Sequence, residues 1–210
     1  MRLRPACQLP LLAGLLAACG GAVDAPRYII YHHARITEDE GRRPTDPDFG
    51  IYEYDAILDS LRATGAVVLS EQRPSGARSD SFAAQTAQQV DSLLRLGVPP
   101  EAISVVGFSK GGWIAILASA RLQNPEIGFV FMGACGPWAF EPDLHVNGRM
   151  LSLYETSDTL GVSCEPMFRH RSPGAEYREI ALSEGSGHGT FFRPIEAWLR
   201  PVKAWVGQAQ

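Results

Sequence analysis

Apolar positions in this chain come in short β-branched runs separated by longer stretches in which they recur every three or four residues. The runs are RYIIY at 27–31, AVVLS at 66–70, ISVV at 103–106, IGFVFM at 127–132, MLSLY at 150–154 and YREIAL at 177–182. Their length and Val/Ile content predict strands, and the densest of them predict strands buried on both faces. Between them, residues 52–63 carry Tyr54, Ile57, Leu58 and Leu61 on one helical stripe, closed by Gly65. Residues 82–96 predict a second helix, stopped by Gly97, Pro99 and Pro100. Residues 113–122 predict a third. Ile195, Trp198, Leu199, Val202 and Trp205 share one face of a closing helix over 191–206. Strands alternating with helices of this length predict a mostly parallel sheet covered on both faces. Residues 37–50, TEDEGRRPTDPDFG, have no sustained period and form a connection longer than most, which points to a functional loop.

The junction at 103–118, ISVVGFSKGGWIAILA, sets the chemistry. A strand that becomes a helix within a few residues brings its backbone against itself, so glycines at 107 and 111 remove colliding Cβ atoms and leave Ser109 projecting from a sharp turn. The same turn puts Ser109 at a helix start, where free N–H groups and the helix dipole favour an oxyanion. Candidate partners follow later in the chain. Asp158 lies in a short loop just beyond the strand 150–154, whereas Glu155 is still at the strand end. His188 lies just beyond the strand 177–182, among Gly185, Ser186, Gly187 and Gly189. Strand C-termini of a parallel sheet share one edge, so these residues can meet there.

The GFSKG turn and the order Ser, Asp, His resemble the α/β-hydrolase superfamily from about Tyr28 to Val206. The resemblance implies an α/β-hydrolase fold of about six strands, with the N-terminal strands of many relatives missing, because residues 22–28 leave no room for them. It implies Ser109 as nucleophile, His188 as general base and then acid, and Asp158 as the carboxylate that orients the ring. It also implies two backbone donors to the oxyanion: Lys110, and a second from the loop after the first strand. Many relatives have His-Gly there; this chain has His33-Ala34. Alanine at a positive φ costs about 1 kcal/mol, so the second donor is left between Ala34 and Arg35.

Substrate contacts are sought in His33, Arg73 and Trp138, with His33 read first as a residue that shapes the loop beside the oxyanion donors. Arg42 and Arg43 sit on a loop that should overhang the same edge. The inter-strand insertion at 134–149 is too short for a cap domain, which points to an open site for small-molecule esters. Adjacent His32 and His33 point to opposite sides of a strand and have no third ligand nearby, so no metal and no cofactor is expected. Two other readings remain open: a binding lipoprotein that keeps the fold without catalysis, and a thioesterase, peptidase or acyltransferase using the same three residues.

Composition adds the setting. Arg2 and Arg4 precede LPLLAGLLAAC, which reads as an export signal rather than a membrane span. Residues 16–19, LAAC, resemble a bacterial lipobox, implying a signal at 1–18, a lipid on Cys19 that tethers the protein to a membrane, a linker at 19–26 and one domain at 27–210. The protein is then periplasmic or at the cell surface. A net charge of −4 without a basic stripe gives no footing for nucleic acid. Outside the leader, Cys135 and Cys164 are left to pair in an oxidising compartment.

Overall fold

The computed structural model describes residues 26–136 and 144–208. The expected runs fold as strands β1 (Tyr28–His32), β4 (Val67–Leu69), β5 (Ile103–Phe108), β6 (Gly128–Met132), β7 (Arg149–Glu155) and β8 (Glu176–Leu182). They form one six-stranded sheet in the order β4-β1-β5-β6-β7-β8, with every pairing parallel. This is the α/β-hydrolase fold in a reduced form. From β1 the chain steps first to β4 on one side. It then crosses to β5 on the other and continues outward. The switch between β1 and β5 opens a crevice at their C-terminal ends, where ligands of open α/β sheets bind.

Alternation along each strand divides the core into two layers. On one face Ile29, Tyr31, Val106, Phe108, Val130 and Leu151 pack against α2 (Tyr54–Arg62) and α6 (Glu196–Val206) through Ile57, Leu58, Leu61, Trp198 and Val202. On the other, Ile30, Val105, Phe129, Phe131 and Met150 pack against α3 (Ser79–Arg95) and α4 (Lys110–Leu122) through Ala83, Val90, Ile114 and Ala118. Every residue of β5 and β6 is buried. Each large apolar side chain withdrawn from water in this way contributes about 1.5 to 3 kcal/mol.

Two local expectations change, and one short helix is new. The connection at 37–50 is not structureless: it folds as a one-turn helix α1 (Ile36–Glu40) and a two-residue ribbon of β2 (Thr45–Asp46) and β3 (Gly50–Ile51). The closing helix α6 starts at Glu196 rather than at 191, after a 3-10 turn (Gly187–Phe191), because Pro194 disfavours helical geometry at Arg193. A short helix α5 (Glu165–Phe168) follows Cys164, with Pro166 in its first turn.

Cys135 and Cys164 form a disulfide with Cα atoms 5.3 Å apart. Beside it the Val162 N–H donates to the Cys135 carbonyl at 2.9 Å, so the loop after β7 is pinned to the loop after β6. A cross-link spanning 29 residues is worth about 3 to 4 kcal/mol through the unfolded chain. The Cys135→Ala/Cys164→Ala double variant should lose about that much in urea unfolding; a loss under about 1 kcal/mol would show that the bridge constrains little.

Candidate active site

The turn from β5 to α4 sets the geometry. Ser109 has φ 54 and ψ −121, and Gln123 is the only other described non-glycine residue with positive φ. Such a backbone costs about 1 to 3 kcal/mol and persists only where its surroundings impose it. Here they do. A Cβ on Gly107 would lie 2.1 Å from the Gly111 carbonyl oxygen, and one on Gly111 would lie 2.0 Å from that of His32. The turn is therefore closed against both itself and β1. The Ser109 N–H donates to the Met132 carbonyl at 2.9 Å, which ties the turn to β6.

Asp158 and His188 arrive from the two neighbouring strand ends. His188 Nδ1 lies 2.6 Å from Asp158 Oδ2, and both groups are buried. Burial alone would raise the Asp158 carboxyl, but the His188 ring and the Leu160 and Gly161 amides outweigh it and hold it below the usual range. An ionised Asp158 accepts a hydrogen bond from Nδ1–H, so Nε2 is the ring nitrogen not committed to it. The ring packs against Phe108, with centroids 4.8 Å apart, and against Phe49 at 6.2 Å. Ser109 and His188 line one cavity of about 430 Å³ with Arg35, Lys110, Trp113, Gly133, Ala134 and Leu160. The hydrogen bond of the His188 ring runs to Asp158, and none joins the ring to the Ser109 hydroxyl.

Glu155, the competing acid, does different work. It is buried at the end of β7 and accepts hydrogen bonds from the Glu184 N–H (2.8 Å), the Gly185 N–H (3.4 Å) and the Ser157 hydroxyl (3.1 Å). One carboxylate thus joins the Asp158 loop to the His188 loop.

Two proposed substrate contacts do not reach the cavity. His33 is fully buried; its Nε2 accepts the Arg73 N–H at 2.9 Å, so Nδ1 carries the proton and donates to the Ala34 carbonyl at 2.7 Å. Arg73 is buried and donates through Nε to Glu38 at 2.8 Å and through its guanidinium to the His33 carbonyl. Both shape the loop after β1 instead. Arg42 is held by Asp55 over the Tyr54 ring. Trp138 lies outside the described residues, as do Cys19 and the leader. The strain expected at Ala34 does not arise, since its φ is not positive.

Glu38 was not among the sequence candidates. Its buried carboxylate binds Arg73 through one oxygen and Lys110 Nζ through the other at 2.6 Å. The network crosses three loops and fastens α1, which directly follows Arg35, to the residue after Ser109. Phe49, also in the polar connection, covers the His188 loop so closely that a Cβ on Gly189 would meet it at 2.9 Å.

No protein-family model matches the chain, and no curated protein does. Similar solved structures do exist. A protein of unknown function from Agrobacterium tumefaciens, described as a putative α/β hydrolase, has 15% identity and a TM-score of 0.60, with 87% of this chain and 84% of that one covered. SOBER1 of Arabidopsis thaliana has 12% identity and a TM-score of 0.58, covering 87% and 98%. The Francisella virulence factor BioJ has 12% identity and a TM-score of 0.61, covering 88% and 78%. At such identities the likeness is one of fold, and the fold defined by sheet order and helical layers is that of the α/β hydrolases.

Two measurements follow. Glu38→Gln leaves Arg73 buried without its counter-charge and should cost about 3 to 5 kcal/mol in urea unfolding. Lys110→Met spares the Arg73 pair and should cost far less; equal losses would contradict the network. Acid should also weaken the fold. Burial, then Arg73, lowers His32 to about 3 and His33 to about 4, against 6.5 when unfolded. The unfolded chain therefore takes up protons first as pH falls below 6.5. Each histidine should then remove about 1.4 kcal/mol per pH unit until its folded pKa is reached. Unfolding free energies that stay level from pH 6.5 to 4 would show these rings to be accessible.

Proposed function

We propose that this protein is a serine hydrolase that cleaves small carboxylic esters through an acyl-enzyme. The observation carrying this reading is a serine forced into a left-handed turn at a helix start, sharing one cavity with an imidazole that is bonded to a buried carboxylate. In the reaction Ser109 Oγ attacks the acyl carbon while its proton passes to His188 Nε2. Asp158 stabilises the imidazolium through Nδ1. The carbonyl oxygen becomes an oxyanion held by the Lys110 N–H and a second amide at Ala34 or Arg35, of which Arg35 lines the cavity. Collapse of this intermediate expels the alcohol with the proton from His188. Water, activated by the same ring, then releases the acid and restores Ser109.

Trp113, Ala134 and Leu160 give the cavity an apolar wall, and its 430 Å³ suits a small acyl group rather than a polymer. One of the similar solved structures is an arylesterase, with 12% identity and a TM-score of 0.56, which agrees with an ester substrate. The export reading fits the same picture. A disulfide suits an oxidising compartment, no described helix is long and apolar enough to cross a membrane, and the LAAC segment would attach the chain to a membrane through a lipid on Cys19.

The test is steady-state hydrolysis of short p-nitrophenyl esters, with a matched thioester and amide beside them. Ser109→Ala should lower kcat by roughly 10⁴- to 10⁶-fold, with folding unchanged by circular dichroism. A variant that keeps wild-type turnover would exclude the serine mechanism. Faster cleavage of the thioester or amide would reassign the substrate.

A further inference from the structure

Among the described residues the sheet ends on β8, and that edge is long and open. The opposite edge, β4, has only three residues, whereas β8 has seven, and Arg178, Ala181 and the following Ser183 and Glu184 are exposed. The Glu176 N–H donates to the Gly148 carbonyl, and the Leu182 carbonyl accepts from the Thr156 N–H, so even-numbered residues of β8 turn their backbone groups inward. Within β8, Tyr177, Glu179 and Ala181 therefore turn their N–H and C=O groups outward; just past its end the Glu184 N–H donates to Glu155, so Ser183 continues the alternation. Arg178, Ile180, Leu182 and Glu184 line one side of the edge, a groove of about 730 Å³ against Arg200, Pro201 and Trp205 of α6. Among the described residues neither Arg178 nor Glu184 has an ion-pair partner in its own chain, although other charges nearby do.

We propose that β8 pairs antiparallel with β8 of a second copy of this chain, about a two-fold axis at Ala181. Among the registers centred from Tyr177 to Ala181, this one satisfies the backbone and the side chains together. Ala181 faces its own copy, and Glu179 faces Ser183, each as a hydrogen-bonded pair using the outward groups. Between them Ile180 lies opposite Leu182, and Arg178 lies opposite Glu184, which brings opposite charges together twice. Centring on Glu179 or on Arg178 would stack each against itself. Centring on Ile180 would set Glu176 against Glu184. Centring on Tyr177 would run the strand into Gly174, whose φ of 86 belongs to a turn, and would leave Ile180 without an apolar partner. The pairing closes an edge that otherwise invites indiscriminate strand addition. The inference stands apart from the catalytic reading, since no residue of the cavity takes part.

Sedimentation velocity of the purified full chain over a wide concentration range tests it. The wild-type protein should dimerise. Arg178→Glu and Glu184→Arg should each weaken the dimer about tenfold or more by placing like charges opposite each other, and the double variant should restore it. Ala181→Pro removes an outward N–H without touching the bonds to β7; it should give a monomer with an unchanged circular dichroism spectrum. A wild-type protein that stays monomeric throughout, or a dimer indifferent to these substitutions, would overturn the proposal.

Discussion

The structure depends on a close approach of backbone to backbone where β5 becomes α4. Two hydrogens, those in place of side chains at Gly107 and Gly111, let the helix start lie against β5 and against the end of β1. That closeness holds Ser109 at φ 54, and it fixes the helix N-terminus beside the loop after β1. Most other features of the site can be read as supports for the groups that meet this turn. The disulfide and the Val162–Cys135 bond hold the Asp158 loop, Glu155 joins that loop to the one bearing His188, and Phe49 covers the latter.

The buried ion cluster around Glu38 belongs to the same logic. Burying charges is costly unless each is paired and hydrogen-bonded, and Glu38 meets the requirement by using both oxygens, one on Arg73 and one on Lys110. Its return is geometric. Arg73 also grips the His33 carbonyl and ring, so the segment from His33 through α1 is fixed from two directions. The loop after β1 is thereby given a definite shape, with Ala34 in an unstrained conformation.

The strands, the two-layer core and the turn at Ser109 were legible because each follows from a local pattern: β-branched runs, a 3.6-residue stripe, glycines flanking a serine. The pairing of Asp158 with His188 was legible one step further, since parallel topology sends strand C-termini to a common edge. Glu38 was hidden in a polar stretch whose charges look solvated. Nothing local tells that a carboxylate in TEDE will be buried by Arg73, 35 residues away. The same blindness made Arg73 look like a surface contact for a substrate, whereas the loop-shaping role of His33 could be read from its place after β1. Phe49 was overlooked because a lone aromatic in an aperiodic loop carries no period to read. The late start of the closing helix does not show in its apolar stripe, which begins at Ile195 and is silent on the backbone at Arg193, where Pro194 decides.

The central claim is that Ser109 is the group that attacks. Reaction of the protein with a fluorophosphonate, followed by digestion and mass spectrometry, locates the attacking atom directly. The account predicts a single phosphonyl adduct on the peptide containing Ser109, absent from Ser109→Ala and strongly slowed in a variant lacking the His188 imidazole. A protein that remains unmodified, or that carries the adduct on another residue, would contradict it.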